Sequence, residues 1–320
     1  MDVLMGIDGG GTHTRVAITD ARGKLLSFVK RQGGAFLYKD ANANENVRLA
    51  VLAAADEAGC ALGDVVALAA GIAGYDKKSD LRWVRKLTKI GGLNCPVQHV
   101  NDAVAAQRGA LLFKPGIVAI AGTGSVIAGI TEKEKFIRNY DFRHYVNNSA
   151  WSLTHNCVEK ILAGETGDTS FVDQILQYFE VDDVAALKTL RKKEFGLGNA
   201  QRMKLFGDFA PTVTQAALDG SRLAGQVCTQ AATETVAGIR LLGGCFSSKP
   251  IAVALIGSVA NSAFMKNTIA DYLREETGYV LMEPALPPAL GAALMAARLA
   301  KLEFEPIKSN LIESYHKRGA

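Results

Sequence analysis

The sequence lacks several features that would mark an exported or membrane-bound chain. No apolar run reaches the ~18 uncharged residues of a membrane span, so no membrane-spanning helix is expected. The N-terminus Met1–Asp8 has neither the basic start nor the long apolar core of a signal peptide. The five cysteines are scattered and form no C-x-x-C pair, which argues against a disulfide framework or a zinc site. We therefore expect reduced thiols and a cytoplasmic location.

Dense charge of one sign is also missing. The net charge is +4, and the densest basic runs, Arg191–Lys193 and Lys77–Lys78, have no aromatic residues between the charges. This pattern is typical of a solvated face, so no nucleic-acid partner is expected. Hydrophobic residues make up 48% of the chain and charged residues 21%, which excludes intrinsic disorder and predicts a folded globular protein.

Glycine, in contrast, is abundant: 32 of 320 residues, against 8 prolines. Such a surplus without collagen or linker periodicity indicates many turns where the backbone approaches something closely. The length by itself favours about two domains.

The pattern of apolar residues predicts two α/β halves that begin alike. Strands are expected at 3–8, 14–19 and 24–30, followed by alternating helices and strands up to residue 112. After Lys114-Pro115-Gly116 the pattern restarts with a strand, a Gly/Thr turn and a second strand. We predict an N-terminal domain over 1–113, joined by a C-terminal helix at 288–303, and a second domain over 114–287 with a helical insertion.

The remaining elements of the second half are predicted from the same periodicity. Helices are expected from about 151 to 245, with an interruption near Gly196–Gly198. The later predictions are strands at 251–256 and 279–282 and helices at 264–277 and 288–302.

The sharpest motif is Asp8-Gly9-Gly10-Gly11-Thr12-His13-Thr14. Consecutive glycines expose backbone N–H groups that can bind phosphate oxygens, and the two threonines add hydroxyl donors. Asp8 could hold Mg²⁺ through water. A hairpin without a ligand would not need three glycines, which cost backbone entropy. A P-loop is excluded because GxxxxGK[ST] is absent, and a dinucleotide fingerprint is excluded because a strand follows instead of a helix.

Two further turns and one carboxylate extend this pattern. Gly122-Thr123-Gly124-Ser125 is the counterpart of the first loop in the second half, and Gly257-Ser258 follows a buried strand. Asp102 follows a predicted strand and begins a helix. Helix capping alone would explain an aspartate there, but the functional interpretation is a general base that accepts the proton of an alcohol during phosphoryl transfer. Both roles can hold at once.

Taken in order, these segments resemble the BadF/BadG/BcrA/BcrD ATPase family, whose best-known sugar-active members are N-acetylglucosamine kinases. The matching segments are Asp8–Thr14, Gly71–Gly74, Asn101–Ala103, Gly122–Ser125, Gly257–Val259 and Gly291–Ala293. The family is part of the sugar kinase/Hsp70/actin superfamily. The resemblance implies an α/β fold of two ribonuclease-H-like domains with ATP and Mg²⁺ in the cleft between them, and a homodimer.

The resemblance also assigns roles to residues. Asp102 would be the general base, and Asp8 would face the metal. The predicted ATP and phosphate contacts are Gly10, Gly11, Thr12, Thr14, Gly122, Thr123, Gly124, Gly257 and Ser258. The predicted substrate contacts are Phe36, Gly74, Asn101, Asn147 and Ser149.

Two departures from the family pattern concern the sugar. Phe36 stands where the family's Gly-x-x-Asn segment has its asparagine, and Phe36 could equally be a core residue. The family's Gly-Asp-Glu-Gly-Ser segment is replaced by the stretch His144–Trp151, where Asn147 could take the place of the carboxylate. An amide can hydrogen-bond a hydroxyl but brings no charge. The sequence thus predicts an intact nucleotide half and a rebuilt acceptor half.

These observations favour an ATP-dependent kinase for an amino sugar such as N-acetylglucosamine or glucosamine. One alternative is a nucleotide-binding sensor or regulator, or an ATPase, that has lost sugar kinase activity, because the sugar motifs are altered. Another is an ATPase that drives electron transfer, like family members that hold an iron–sulfur cluster with paired cysteines. The isolated cysteines of this chain disfavour that alternative.

Overall fold

The computed structural model describes residues 1–318, which divide into two units. Unit 1 consists of Met1–Val118, Ala128–Phe136 and the chain from Glu283 onward, and unit 2 consists of Ala119–Ile127 and Ile137–Met282. The domain limits expected from the sequence, 1–113 with 288–303 and 114–287, stay predictions.

The strands in residues 1–318 form two sheets, and each sheet has five strands. In chain order they are β1 (Val3–Gly9), β2 (His13–Asp20), β3 (Leu25–Gln32), β4 (Val65–Ile72), β5 (Val97–Asn101), β6 (Gly116–Ala121), β7 (Ser125–Ile130), β8 (Phe136–Arg138), β9 (Ile251–Ile256) and β10 (Tyr279–Met282).

The α-helices of the same residues account for most of the remaining chain. They are α1 (Ala43–Ala58), α2 (Leu81–Leu87), α3 (Asp102–Ala110), α4 (Ala150–Leu162), α5 (Thr169–Tyr178), α6 (Val184–Lys192), α7 (Asn199–Leu218), α8 (Arg222–Gly243), α9 (Ala263–Arg274), α10 (Pro288–Leu299) and α11 (Phe304–Lys317). Within the described chain, no helix is both long enough and apolar enough to cross a membrane.

The first sheet has the order β3-β2-β1-β4-β5, with β1 at its centre. Strands β1 to β3 are antiparallel, and β4 and β5 continue the sheet in parallel with β1. All seven residues of β1 are buried, because apolar layers cover both faces of the sheet. The carboxyl ends of β1, β4 and β5 therefore lie at one edge of the sheet, and each is followed by a segment predicted to carry function.

Glycines allow α10 to pack directly on this sheet and on α3. A Cβ atom on Gly6 of β1 would lie 2.1 Å from the Ala289 carbonyl oxygen, and one on Gly291 would lie 2.3 Å from the Ala105 carbonyl oxygen. Neither position has room for a side chain, so the Gly-Ala-Ala segment at 291–293 has a packing role in unit 1.

The second sheet repeats the strand order of the first. Its order is β10-β9-β6-β7-β8, which equals β5-β4-β1-β2-β3 when β6 is taken as the counterpart of β1. The restart that the sequence shows after Lys114–Gly116 therefore corresponds to a repeated sheet. The glycine turn of Gly122–Gly124 joins β6 to β7 just as the Asp8 loop joins β1 to β2.

The helical segment α4 to α8 is more divided than the sequence indicated. The predicted interruption near Gly196–Gly198 is present, and helices also end before Gly164, Glu180 and Gly220. Those three residues have φ of +102°, +54° and +95°, the left-handed conformation that commonly ends a helix. Glu180 is not a glycine, so the glycine pattern of the sequence could not predict the end of that helix.

Other differences lie at the edges of elements. The short strand β8 and the helix α11 were not predicted, and α9 and α10 end at Arg274 and Leu299, a few residues before their predicted ends. Helix α11 buries only Ile307 and Leu311 fully, so its apolar pattern is weak.

Candidate functional site

The loop between β1 and β2 is a tight turn supported by a second glycine segment. The Gly10 N–H donates to the His13 carbonyl oxygen at 3.1 Å, which closes the turn. Residues 33–35 lie against it: Gly33 N–H donates to Thr12 O at 2.9 Å, and Ala35 N–H donates to Gly10 O at 3.0 Å. A Cβ on Gly34 would lie 2.4 Å from Gly11 O, so only glycine fits there. Gly11 and Thr12 are exposed at the tip, where a phosphate could reach their backbone.

Thr14 has a different position from Thr12. Its side chain is fully buried, and its hydroxyl donates to the Gly33 carbonyl oxygen at 3.0 Å. The structure thus gives Thr14 a role in holding the two glycine segments together.

Asp8, near the end of β1, is buried and paired with Arg15 of β2. The Arg15 Nη1 lies 3.1 Å from the Asp8 Oδ2. Burial raises the pKa of Asp8, and the Arg15 guanidinium opposes that rise. Arg15 was not among the predicted site residues, although the hairpin places Asp8 and Arg15 directly opposite each other.

The metal predicted for these residues is Mg²⁺. In residues 1–318 there is no group of three or more acidic, histidine or cysteine side chains that could form a site from protein ligands alone. Mg²⁺ commonly takes only one or two carboxylates and completes its shell with water and substrate phosphates. A single carboxylate, Asp8, beside an exposed glycine turn fits that kind of site.

Asp102 is the first residue of α3, and Asn101 is the N-cap. The expectation that Asp102 itself could cap the helix is corrected here, because the Asn101 side chain accepts the Ala103 N–H at 3.0 Å from the N-cap position. The Asp102 Oδ1 accepts the same N–H at 2.9 Å. Burial raises the pKa of Asp102 to about 7, with further contributions from the negative charges of Asp8 and Asp76. A carboxylate with this pKa can exchange a proton near neutral pH.

The end of β4 sets the place of Asp102. A Cβ on Gly71 would lie 3.3 Å from the Asp102 Cα and 2.6 Å from the Ala105 Cβ, so α3 begins directly against this strand. The Ala73 N–H donates to Gly9 O at 2.8 Å, which ties the turn after β4 to the glycine loop. Asp8, Asp102 and the glycine loop are thus neighbours at one edge of the first sheet.

Phe36 and Gly74 are in contact on the same unit. Gly74 has φ of +77°, and a Cβ on it would lie 2.4 Å from the Phe36 ring. The Phe36 ring centroid lies 6.0 Å from that of Trp83 and 5.9 Å from that of Tyr38. Phe36 is half-buried and Tyr38 is 75% exposed. The cluster Phe36–Tyr38–Trp83 therefore presents aromatic surface to solvent.

In unit 2 the turn at 122–124 meets two other segments. The Ala121 carbonyl oxygen accepts the N–H groups of Val259 and Ala260 at 3.1 and 3.2 Å. The Gly122 carbonyl oxygen accepts the Ala150 N–H at 2.7 Å. Thr123 and Gly124 are exposed at the tip of the turn, as Gly11 and Thr12 are in unit 1.

A cavity of about 320 Å³ adjoins these segments. It is lined by Ala150, Gly207, Ala210, Pro211, Thr214, Gln215, Leu218, Ser258, Val259, Ser262 and Ala263. A larger cavity of about 670 Å³ lies along α5 and α7, but it contains none of the predicted site residues. The smaller cavity is mostly apolar, and Ser258 lies at its border.

Asn147 and Ser149 have structural partners. The Asn147 backbone N–H donates to the Glu234 carboxylate at 2.9 Å, and its side chain is exposed. Ser149 is the N-cap of α4 and accepts the Ser152 N–H at 3.3 Å. Glu234 was not identified from the sequence, and the 87 residues that separate it from Asn147 left no local signal.

Comparison with known proteins adds to this geometry. Residues 5–138 match the model of the BadF/BadG/BcrA/BcrD ATPase family. The resemblance found from the motifs is confirmed. The matched segment covers less than half of the chain and contains the Asp8 loop, Asp102 and the turn at 122–124.

Two curated relatives are similar to the chain. The glucosamine kinase GspK of Vibrio cholerae is 23% identical over 307 residues, which cover 93% of this chain and 97% of that protein. The N-acetylmuramic acid/N-acetylglucosamine kinase of Clostridium acetobutylicum is 26% identical over 151 residues. That match covers 46% of this chain and only 49% of the clostridial kinase, about half its length.

A solved structure shows the fold. A candidate N-acetylglucosamine kinase from Chromobacterium violaceum superposes with a TM-score of 0.74 at 21% identity, covering 92% of this chain and 99% of that one. The fold class expected from the sequence, α/β with two ribonuclease-H-like domains of the actin-like ATPase type, is confirmed.

Proposed function

We propose that this chain transfers the γ-phosphoryl group of ATP to a hydroxyl of an amino sugar such as N-acetylglucosamine or glucosamine. The observation that carries the proposal is Asp102, a carboxylate with a pKa of about 7 at the start of α3, close to the Asp8 glycine loop. The names of the two curated relatives, both amino-sugar kinases, support the same activity.

Asp102 is the proposed general base. Its carboxylate accepts the proton of the substrate hydroxyl while the hydroxyl oxygen forms a bond to the γ-phosphorus and the bond from that phosphorus to the bridging oxygen of ADP breaks. The charges of Asp8 and Asp76 favour this proton transfer because they raise the proton affinity of Asp102. The proton then leaves to solvent, and ADP and the sugar phosphate are released.

ATP is proposed to use the glycine turns. Its phosphates are proposed to contact the backbone N–H groups of Gly11 and Thr12 in unit 1 and those of Thr123 and Gly124 in unit 2. The predicted Gly10 contact is corrected, because the Gly10 N–H donates to His13 O within the turn. Gly122, Gly257 and Ser258 contact the adenosine side, and the cavity of about 320 Å³ next to Ser258 takes the base. Thr14 supports the first turn through its bond to Gly33.

Asp8 is proposed to hold Mg²⁺, whose chemistry is to neutralise phosphate charge. Asp8 is the only predicted metal ligand, and Arg15 fixes its carboxylate through the 3.1 Å pair. The homodimer and the cytoplasmic location also stay predictions.

The acceptor side supports a second candidate. Phe36 and its aromatic neighbours take the place of a polar residue, Asn147 has no charge, and Ser149 caps a helix. These features favour a nucleotide-binding regulator or ATPase that no longer phosphorylates a sugar. Such a protein would bind ATP, but no sugar would change its turnover.

The two candidates are separated by the release of ADP in the presence of different acceptors. Purified protein, ATP and Mg²⁺ are incubated with a panel of hexoses, hexosamines, N-acetylhexosamines and muramic acid derivatives. If the chain is a kinase, an amino sugar should stimulate ADP release well above the sugar-free rate. ATP binding without stimulation by any sugar would favour the second candidate.

The pKa of Asp102 predicts the acid side of the pH profile. A general base works in its deprotonated form, so kcat/KM for the sugar, which reports the free enzyme, should fall below about pH 7, by about tenfold per pH unit well below it. Replacing Asp76 with asparagine removes a negative charge that raises this pKa, so the midpoint should move to lower pH. An acid limb that stays in place in Asp76→Asn, or a flat profile between pH 5 and 8, would contradict this assignment.

A further inference from the structure

Both ends of the Asn101 side-chain amide have partners. The Oδ1 accepts the Ala103 N–H at 3.0 Å, and the Nδ2 donates to the Tyr75 carbonyl oxygen and to the Asp76 Oδ1, each at 3.2 Å. An amide nitrogen has two hydrogens, so both donors are used. One end faces a donor and the other end faces two acceptors, which fixes the orientation of the group.

These bonds join two segments next to Asp102. Asn101 is the last residue of β5 and the N-cap of α3, while Tyr75 and Asp76 lie in the turn that follows β4. In the sheet, Asn101 is already paired with Ile72 of β4. The side chain therefore adds a second connection between the ends of these two strands, beyond the last backbone pair.

The turn at 74–76 has contacts on its other side as well. Gly74 lies against the Phe36 ring, and Asp76 contributes to the electrostatic surroundings of Asp102. A shift of this turn would therefore move the Phe36 contact and the charge near Asp102 together. Asn101 connects this turn to the helix that carries Asp102.

We infer that Asn101 is a positioning residue, which holds the turn at 74–76 against the start of α3 and so sets the place of the Asp102 carboxylate for proton transfer. The inference rests on the proposed function, in which Asp102 is the base. It differs from the expectation that Asn101 contacts the sugar, and the two roles predict different kinetics.

The test is a steady-state comparison of Asn101→Ala with the wild type, using the amino sugar that stimulates turnover. We expect kcat to fall by about 10-fold or more while KM for the sugar stays within about threefold, because displacement of the base affects the transition state more than substrate binding. A large rise in KM with kcat unchanged would assign Asn101 to the sugar and overturn the inference. Unchanged values of both would also overturn it.

Asn101→Ser separates capping from the link to the turn. Serine retains an oxygen that can cap α3 but cannot donate to both Tyr75 and Asp76. We expect kcat to remain reduced by about fivefold or more in this variant. Full recovery would show that capping alone positions Asp102, and the link to the turn would be refuted.

Asp183→Ala is the matched control for lost capping. Asp183 caps α6 by accepting the Ala186 N–H at 2.7 Å, and it is not among the site residues. Its kcat should equal that of the wild type, and thermal melting should show that all variants are folded. A wild type without sugar-dependent turnover would overturn the proposed function and this inference together. If the wild type shows sugar-dependent turnover and Asn101→Ala has the same kcat and KM, only the inference about Asn101 is overturned.

Discussion

Replacing Asp102 with asparagine should lower kcat by about 10²–10⁴-fold, because the amide cannot accept the hydroxyl proton. Asparagine has nearly the same shape and retains an oxygen that can accept the Ala103 N–H. The measurement is sugar-dependent ADP release at pH 8, where wild-type Asp102 is deprotonated. Asp56→Asn is the control, since it removes an exposed carboxylate of α1 that is not proposed to take the proton. An Asp102→Asn variant within tenfold of the wild type would exclude Asp102 as the base.

The same variant should be more stable than the wild type above pH 7. Because the folded-state pKa of Asp102 is raised, the folded state favours the protonated form, and that contribution to stability is lost as pH rises through about 7. Asparagine stays neutral, so its melting temperature should exceed that of the wild type by a few degrees at pH 8 and by little at pH 4. Loss of activity together with a gain in stability would separate a functional role from a structural one. A variant less stable at pH 8 would contradict the raised pKa.

Replacing Gly257 with alanine should lower kcat/KM for ATP by about 10²-fold. Gly257 has φ of +99°, and a Cβ there would lie 2.3 Å from the Ala121 carbonyl oxygen, which accepts two N–H groups of the same turn. The backbone must therefore move, and displacement of a substrate-positioning segment by about 1 Å can cost that factor. The measurement is the dependence of ADP release on ATP concentration.

Gly220→Ala is the matched control for Gly257→Ala. Gly220 has φ of +95°, but an added Cβ would meet nothing within 4 Å. Alanine there should carry only the strain of a left-handed conformation, about 1–2 kcal/mol, with little change in kcat/KM for ATP. Equal losses in both variants would show that backbone strain, and not the turn at Gly257, determines the effect.

The two halves of the fold could be predicted from the sequence because their glycine turns form a local pattern. Three glycines after an apolar strand, repeated as Gly122-Thr123-Gly124 after another, indicated two halves of the same design, and both sheets have the same strand order. Asp102 was found because it stands where a strand gives way to a helix. Such signals are local: each depends on a few adjacent residues whose backbone conformation is restricted.

The contacts that complete the site were not predictable in that way. Asn101 meets Tyr75 and Asp76 across 26 and 25 residues, and no local pattern reports such pairs. The identity of the α3 cap was mistaken because asparagine and aspartate are both good capping residues, and here they are adjacent. The Asp8–Arg15 pair could have been found, because the short hairpin turn fixes which residues of β1 and β2 lie opposite each other.

The most direct test of the proposed kinase activity is to identify the product. Protein, ATP and Mg²⁺ are incubated with N-acetylglucosamine or glucosamine and followed by ³¹P nuclear magnetic resonance. If the chain is an amino-sugar kinase with Asp102 as its base, a sugar phosphate ester appears in step with ADP, and Asp102→Asn forms almost none. Release of inorganic phosphate alone, or no consumption of ATP with either sugar or any other amino sugar, would contradict it.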